Sequence, residues 1–320
     1  MAVLGYLSAL NRALHEEMAR DSTVSLFGED VRIGLTGVAQ GLLDAFGPDR
    51  VVDTPLSEQA FTSFATGAAV AGQRPVVEFQ IPSLLYLVFE QIVNQAHKFS
   101  LMTGGQGSVP VTYIVPNSGS RSGMAGQHSD HPYSLFAHTG VKTVLPATPS
   151  DAYGLLLSAI RDPDPVVVFA PTNLMWATEE VPDILPAVPL GRARVHREGT
   201  DVTVVATGHL VPQAVAVADR LADEVSVEVI DPRTLYPVDW DTLGASVAKT
   251  GRLVVIDDSN RMCGFGAEVV ATAAEEFALT APPKRVSRPD GTVIPYALAL
   301  DHSLLPNEQQ LTDAIRAVLK

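Results

Sequence analysis

An acid at the start of a helix of small residues has the clearest chemical meaning in this sequence. Asp53-Thr54-Pro55 marks a turn after a strand that ends at Val52, and Ser57 is placed to cap a helix with its side-chain oxygen. Glu58 then lies in the first turn, and the Ala and Gly residues between 65 and 72 let another backbone pack closely and exclude water. Desolvation favours a neutral carboxyl group, so the pattern predicts that Glu58 holds or donates a proton. The alternative is an ordinary first-turn acid stabilised by the helix dipole.

A histidine in a loop rich in Gly and Ser is the second candidate. Residues 116–131 follow a strand predicted over 109–115, and open α/β sheets bind ligands at the carboxyl ends of their strands. This places His128 at a ligand-binding edge, although a solvated surface histidine is the alternative. A metal cluster is a further alternative, but its spacing fits no standard zinc pattern. Its members would be His128, Asp130, His131 and His138.

Strands and helices alternate around these residues. In the first half, strands are predicted at 24–27, 51–52, 74–79, 109–115 and 165–170, and helices at 36–46, 83–102 and 150–161. In the second half, strands are predicted at 202–206, 225–230 and 253–257, and helices at 211–222, 266–277 and 307–319. The alternation predicts an α/β fold of two domains, each a mostly parallel sheet flanked by helices with right-handed crossovers. We place the domains at 1–185 and 201–320, with a linker at 186–200.

Composition limits the class of protein. The 320 residues are 46% hydrophobic and 18% charged, which is typical of a globular chain with more than one core. Gly, Pro or charged residues interrupt each apolar run before it could span a bilayer, and the amino terminus lacks a cationic leader. A formal charge of -14 argues against nucleic-acid and anionic-membrane partners. The single cysteine, Cys263, excludes an internal disulfide and suits the cytoplasm.

Several ordered blocks resemble the β subunits of 2-oxo acid dehydrogenase E1 components. These are thiamine-diphosphate enzymes of the pyruvate, branched-chain and acetoin dehydrogenase type. The blocks are DTPLSEQAF from Asp53, GAAVAGQRPVVEF from Gly67 and FEQIVNQAHKF from Phe89, and the similarity runs from FGEDV at Phe27 to PYALAL at Pro295. The resemblance implies a transketolase-like fold, with a pyrimidine-binding domain followed by a C-terminal domain.

The resemblance also implies roles for individual residues. The glutamate matching Glu58 bonds N1′ of the cofactor's aminopyrimidine and so promotes removal of the thiazolium C2 proton. By resemblance Glu29 lies near the cofactor pocket, and the alternative is a surface acid in the loop after a strand. The GQHS block matches the family's active-site histidine at His128, which faces the substrate carboxylate and helps pass the acyl group to lipoyl. The cofactor performs the difficult chemistry, and the protein supplies orientation and electrostatics.

One departure from the family concerns the cofactor. An aromatic residue stacks on the aminopyrimidine in the family, and the matching position here is Leu84. Leucine can cover the ring by apolar contact but loses the stacking energy, on the order of 1 kcal/mol. Tyr86 and Phe79 are nearby candidates to replace the aromatic ring.

Further departures fall on the expected substrate side. The family usually carries Arg where this chain has Val115, whereas Arg121 lies later in the loop. Asp130-His131-Pro132-Tyr133 replaces the usual continuation after the active-site histidine, which brings His131 to the substrate side. The run that starts at His138 is one residue shorter than usual. These departures therefore leave an uncommon substrate as an alternative.

The AIRDPDP segment resembles a loop in which family members hold a potassium ion through backbone carbonyls and acids. Oxygen ligands in a tight turn suit a hard cation. A simple turn that ends a helix is the alternative. The matching positions are Ala159, Ile160, Asp162 and Asp164.

The chain lacks the GDG motif with which related enzymes hold the pyrophosphate and Mg²⁺ of the cofactor. By resemblance, an E1 α subunit supplies that half, with the cofactor across the α/β interface of an α2β2 heterotetramer. GFGAE from Gly264 lacks the third glycine of a dinucleotide site and indicates a helix-packing turn.

We therefore expect the β subunit of an E1-type 2-oxo acid dehydrogenase that decarboxylates a 2-oxo acid and passes the acyl group to lipoyl on an E2 acyltransferase or to another thiol carrier. One alternative is transketolase-like transfer of a two-carbon unit from a ketose phosphate to a carrier-protein thiol. A second alternative is a structural or regulatory partner that has lost turnover.

Overall fold

A computed structural model describes residues 2–120 and 123–320 and separates them into two compact units. Unit 1 comprises the described residues of 1–121 and 127–190, and unit 2 comprises those of 122–126 and 191–320. Among the described residues, no helix combines the length and apolar character that crossing a lipid bilayer requires.

Unit 1 is organised around parallel strands whose residues are almost all buried. Continuous apolar runs of this kind form strands that are covered on both faces. The strands are β1 (Ala2–Gly5), β2 (Val24–Gly28), β3 (Val51–Asp53), β4 (Arg74–Glu78), β5 (Thr112–Ser118), β6 (Lys142–Val144), β7 (Val166–Pro171) and β8 (Thr178–Val181). Six of them are parallel neighbours in the order β6-β7-β5-β4-β2-β3, and β1 and β8 form a separate antiparallel pair.

Helices cover this sheet. The α-helices are α1 (Tyr6–Arg20), α2 (Leu42–Phe46), α3 (Glu58–Val70), α4 (Leu84–Leu87), α5 (Lys98–Met102), α6 (Tyr133–Thr139) and α7 (Pro149–Arg161). A π-helix spans Gln91–His97, and 3-10 turns span Gly126–His128 and Thr172–Leu174. α1 and α7 pack on one face, where buried Glu17 binds Arg161 and Arg20. This pairing joins the two helices and compensates the buried charge.

Two predicted helices differ in the structure. The helix predicted over 36–46 begins only at Leu42, because Gly37 and Gly41 have φ angles of +90° and +76°. Such left-handed residues interrupt a helix. The helix predicted over 83–102 is divided into α4, the π-helix and α5. π-helical turns are frequent at functional sites, and this one follows the position of Leu84.

Unit 2 contains a second sheet. The strands of unit 2 are β9 (Arg194–Arg197), β10 (Val202–Ala206), β11 (Val227–Asp231), β12 (Thr234–Tyr236), β13 (Leu253–Asn260) and β14 (Lys284–Arg288). Five form the order β14-β13-β10-β11-β9, with only β9 antiparallel to its neighbour. The helices are α8 (Leu210–Arg220), α9 (Trp240–Thr250), α10 (Phe265–Glu276), α11 (Leu298–Leu304) and α12 (Glu308–Ala317). The prediction of two α/β domains with mostly parallel sheets is confirmed, although β9 lies within the predicted linker.

Candidate active site

The candidate catalytic residues of unit 1 gather at the carboxyl edge of its sheet. Because β2, β3, β4 and β5 are parallel, the residues that follow them emerge on the same side. Glu29 follows β2 directly, Glu58 opens the helix after β3, and Gln80 follows β4. Asn117 lies near the end of β5. The chain thus places two acids and two amides at one edge.

Glu58 is the first residue of α3, and its side chain is half-buried. Ser57 occupies the predicted N-cap position, but its side chain accepts no hydrogen bond from the helix, so the predicted side-chain cap is wrong. The small residues of α3 pack on one face only. Ala65 and Ala69 are buried, whereas a Cβ added to Gly67 would meet no atom within 4 Å.

Glu29 is an acid of this edge whose protonation the structure perturbs. Its side chain is 8% exposed, and Oε1 has no hydrogen-bond partner in the described part of the chain. Burial, followed by the negative charges of Glu58 and Asp30, raises the pKa of Glu29 to about 7. From the sequence, Glu58 was expected to hold or donate a proton, and Glu29 was expected only to lie near the cofactor pocket. In the sequence, the two successive acids at 29 and 30, directly after a buried strand, are the feature that indicates charge repulsion at Glu29.

Gln80 links the loop after β2 to the end of β5, which the sequence analysis did not predict. Its Nε2 donates to the Glu29 carbonyl oxygen at 3.1 Å and to Asp30 Oδ2 at 3.2 Å. The backbone carbonyl oxygen of Gln80 accepts from Asn117 Nδ2 at 3.2 Å. Asp30 has a φ of +54°, an unfavourable conformation for a residue with a side chain. Gln80 therefore stabilises the backbone that orients Glu29.

Several buried polar atoms at this edge lack a hydrogen-bond partner within the described residues. They include Thr54 Oγ1 after β3, Glu29 Oε1 after β2 and Ser118 Oγ at the end of β5. Buried polar groups are normally paired, so a group of unpaired atoms calls for a ligand or ordered water. Carboxyl and hydroxyl groups fit a flat polar heterocycle, and the residues present are therefore compatible with the aminopyrimidine of thiamine diphosphate.

The segment predicted to cover that heterocycle is attached to the start of α3. Leu84 is half-buried at the first position of α4, and Tyr86 is 48% exposed. Gln59 Nε2 donates to the Leu87 carbonyl oxygen at 2.9 Å, which connects α4 to the helix that begins with Glu58. Phe79 is 1% exposed, with its ring centroid 5.8 Å from that of Phe61. Phe79 is therefore a core residue and cannot replace the aromatic ring.

The histidines of the loop occupy different environments. His128 ends the 3-10 turn and is half-buried. His131 is 8% exposed, and its ring centroid lies 4.5 Å from that of Tyr133 and 6.2 Å from that of Phe169. Packing against aromatic rings makes His131 part of the interior. Arg121, predicted on the substrate side, lies outside the described residues.

The alternative of a metal site in this loop has no geometric support. Within residues 2–120 and 123–320, the four predicted ligands do not come together as a metal-binding group. His138 is exposed on α6, whereas His131 is enclosed by aromatic rings.

The predicted potassium turn is held by protein cations. Lys142 Nζ lies 2.6 Å from Asp162 Oδ1 and 2.9 Å from Asp164 Oδ2. Arg74 Nη1 donates to the carbonyl oxygens of Ile160 at 2.9 Å and Asp162 at 3.2 Å. The Ala159 carbonyl oxygen accepts from the Asp162 amide at 3.3 Å. Asp162 and Asp164 therefore do not fit their predicted role as potassium ligands, because both carboxylates already have the ammonium group of Lys142 as a partner.

The GFGAE segment of unit 2 is closed to a dinucleotide. Asp257 Oδ2 accepts from the Gly266 amide at 3.1 Å, at the start of α10 where a pyrophosphate would bind. A Cβ on Gly264 would lie 2.2 Å from Ser259 Oγ and 2.3 Å from the Asn260 carbonyl oxygen. The glycine therefore serves close packing, in agreement with the predicted helix-packing turn.

Comparison with known proteins gives matches over both units. Residues 3–176 match the family described as the pyrimidine-binding domain of transketolase, and residues 191–311 match the transketolase C-terminal domain. A solved chain titled "Split gene transketolase, inactive beta4 tetramer" has a TM-score of 0.81 at 21% identity, covering 99% of this chain and 98% of that chain. At this identity, the match shows the fold alone.

Sequence relatives match over nearly their whole length. The 3-methyl-2-oxobutanoate dehydrogenase subunit beta of Mycobacterium tuberculosis is 42% identical, covering 99% of this chain and 92% of the relative. The pyruvate dehydrogenase E1 component subunit beta of Staphylococcus epidermidis is 40% identical, with 100% of both chains covered. The acetoin:2,6-dichlorophenolindophenol oxidoreductase subunit beta of Bacillus subtilis is 37% identical, covering 99% of this chain and 97% of the relative.

Proposed function

The chain belongs to the E1 β subunits of the thiamine-diphosphate-dependent 2-oxo acid dehydrogenases, and on that premise we propose that, with an α subunit, it decarboxylates a 2-oxo acid and transfers the acyl group to a thiol carrier. The observation that carries this proposal is the pairing of Glu29 and Glu58 at the carboxyl edge of the unit 1 sheet. A buried acid beside a second carboxylate, as Glu29 is beside Glu58, can hold a proton near neutral pH.

The proposal assigns the pyrimidine half of the cofactor to this chain. Thiamine diphosphate supplies, when bound, the electron sink that cleavage next to a carbonyl group requires. Glu58 would bond the pyrimidine ring, and Glu29 would keep a proton available beside it. Leu84 would cover the ring by apolar contact, and the exposed Tyr86 ring is the aromatic group nearest along the chain.

His128 would act on the substrate side. Its half-buried ring follows the Gly126–His128 turn and can hydrogen-bond a carboxylate or move a proton. The aromatic packing of His131 supports a role in shaping the loop that carries His128, in place of direct contact with substrate.

An α subunit would complete the site. The name of each relative given above describes a β subunit, and the chain lacks the GDG motif for pyrophosphate and Mg²⁺. We therefore assign pyrophosphate and Mg²⁺ binding mainly to the partner of an α2β2 heterotetramer in the cytoplasm. The acyl acceptor would be lipoyl on an E2 acyltransferase or the thiol of an acyl-carrier protein.

Transfer of a two-carbon unit from a ketose phosphate is the second candidate function. It is favoured by the end of β5, where Ser118 Oγ and the Asn117 amide are buried polar groups. Val115, at the position where Arg is usual, is fully buried and uncharged. Buried hydroxyl and amide groups suit a hydroxylated substrate better than a plain aliphatic one.

Turnover of the reconstituted complex tests both functions. The chain is co-expressed with the α protein encoded beside it, given thiamine diphosphate and Mg²⁺, and assayed with 2-oxo acids and ketose phosphates while the cofactor adducts are identified by mass spectrometry. Loss of CO₂ with an acyl adduct is the expected result. A glycolyl adduct from a ketose would instead establish two-carbon transfer, and a stable complex without any adduct would contradict both functions.

Glu58→Gln provides the decisive variant. Since the amide has the same shape but cannot exchange a proton in the same way, turnover should fall by about 100-fold or more while the α/β complex still assembles. Glu275→Gln, an exposed acid on α10, is the matched control and should keep full turnover. Unchanged turnover in Glu58→Gln would remove this residue from the mechanism.

A further inference from the structure

A buried glutamate at the end of β4 has no part in the proposed chemistry. Glu78 is 3% exposed and pairs in register with Gly28, the residue directly before Glu29. A Cβ on Gly28 would lie 2.7 Å from the Glu78 carbonyl oxygen, so no side chain separates the two strands here. A shift at the end of β4 would therefore reach the backbone of Glu29 directly.

The side chain of Glu78 binds the loop of residues 29–41 in its middle. Thr36 Oγ1 donates to Glu78 Oε1 at 2.6 Å, and the same hydroxyl oxygen accepts from the Val38 amide at 3.3 Å. Thr36 and Val38 are both buried. Since Gln80 holds the beginning of the loop, residues from one strand end fix it at two points.

Burial of a carboxyl group at position 78 is energetically unfavourable. Glu78 Oε2 has no hydrogen-bond partner within the described residues, and burial raises the pKa of Glu78 to about 7 against the opposing effect of Thr36. An apolar side chain would be buried more favourably than a carboxyl group with one hydrogen bond. A buried polar group that costs folding stability is typical of functional sites.

We propose that Glu78 is a positioning residue for the acidic site: through Thr36 it holds the 29–41 loop, and with it Glu29, at the carboxyl end of the sheet. The effect of this positioning on catalysis rests on the proposed function. The attachment of the loop itself does not, since it depends only on the contacts of unit 1.

The test uses the α/β complex with three single variants, one double variant and two readouts. Thr36→Val and Glu78→Leu remove one partner each, whereas Glu78→Gln keeps an acceptor of the same shape. We expect the first two to lower kcat about tenfold with KM changed less than threefold, and Glu78→Gln to stay within twofold of the parent. Hydrogen exchange of amides 31–38 should accelerate in the first two variants and remain slow in the third. The double variant Thr36→Val with Glu78→Leu should be no worse than either single variant, because both remove the same contact.

Thr207→Val is the matched control, since Thr207 Oγ1 donates to the buried acid Asp257 at 3.2 Å in unit 2. It should leave exchange of the 31–38 amides unchanged. Normal exchange and normal kcat in Glu78→Leu would overturn the proposal, as would additive losses in the double variant. If the parent complex shows no turnover, the proposed function fails, yet the exchange of the loop still decides whether Glu78 holds it.

Discussion

The carboxyl groups of Glu29 and Glu58 are close enough for the charge of Glu58 to raise the pKa of Glu29. They follow separate strands, and the parallel sheet brings them together because β2 and β3 are hydrogen-bonded neighbours. Burial is the larger cause of the raised pKa, and Asp30 adds a smaller repulsion. The buried Glu29 therefore holds its proton more readily than a solvent-exposed acid would.

Removing the charge of Glu58 should lower the pKa of Glu29. In Glu58→Gln the repulsion disappears while the burial of Glu29 stays, so the pKa should fall below its value of about 7 but remain above that of a free glutamate. The titration can be followed by carbon NMR of labelled glutamate, with Glu29→Gln to assign the resonance. An unchanged pKa would mean that the two carboxyl groups do not interact.

The raised pKa values of Glu29 and Glu78 make the free energy of unfolding fall as pH increases. Glu29 and Glu78 have folded-state pKa values of about 7, above that of an unfolded glutamate, so the folded protein binds more protons between about pH 4.5 and pH 7. Their stabilising protonation is complete below that range and is lost as pH rises through 7. Glu78→Gln should therefore increase the free energy of unfolding at pH 8 by up to about 3 kcal/mol, with little change at pH 4.5. Urea denaturation at both pH values measures this, and Glu275→Gln should show no such difference.

Leu84→Phe should strengthen cofactor binding. If Leu84 covers the pyrimidine ring, an aromatic side chain at the same position adds about 1 kcal/mol of stacking, or about fivefold in Kd. Calorimetric titration of the α/β complex with thiamine diphosphate provides the measurement. Leu101→Phe, at a position that is 85% exposed, is the matched control. Equal affinity in the parent and in Leu84→Phe would indicate that residue 84 does not touch the ring.

Lys142→Met should destabilise unit 1. The substitution keeps the length of the side chain but leaves Asp162 and Asp164 without their ammonium partner. Because the cluster is only partly buried, we expect a loss of about 1–2 kcal/mol and a lower Tm. Lys98→Met, which removes an exposed hydrogen bond to Asn94, should cost less than half of that. Equal Tm values for the two variants would show that the ion pairs contribute nothing.

Much of the fold was predictable because its signals are local. The buried strands, the turn before Glu58 and the loop before His128 follow from runs of apolar residues bounded by Gly, Pro and polar residues. The relation of Gln80 to Glu29 was not predictable, since it depends on a side chain that crosses between two strands separated by about fifty residues. The same holds for Thr36 and Glu78, which are 42 residues apart in the sequence.

The helices that differ from prediction also have physical causes. The helix predicted over 36–46 forms only in its last part, because the left-handed backbone of Gly37 and Gly41 makes the first part a series of turns. The period over 83–102 does not distinguish an α-helix from a π-helix, because both keep one buried face. Resemblance to a family supplied the proposed role of Glu58, whereas the raised pKa of Glu29 required three-dimensional burial.

The carboxylate of Asp257 on the Gly266 amide has a consequence for nucleotide binding at the start of α10. A nucleotide phosphate could reach the start of α10 only by expelling an anion that belongs to the chain itself, and Thr207 and Ser259 also donate to that anion. A nucleotide phosphate therefore has to compete with a carboxylate of the same chain for the Gly266 amide, which disfavours its binding at the GFGAE segment.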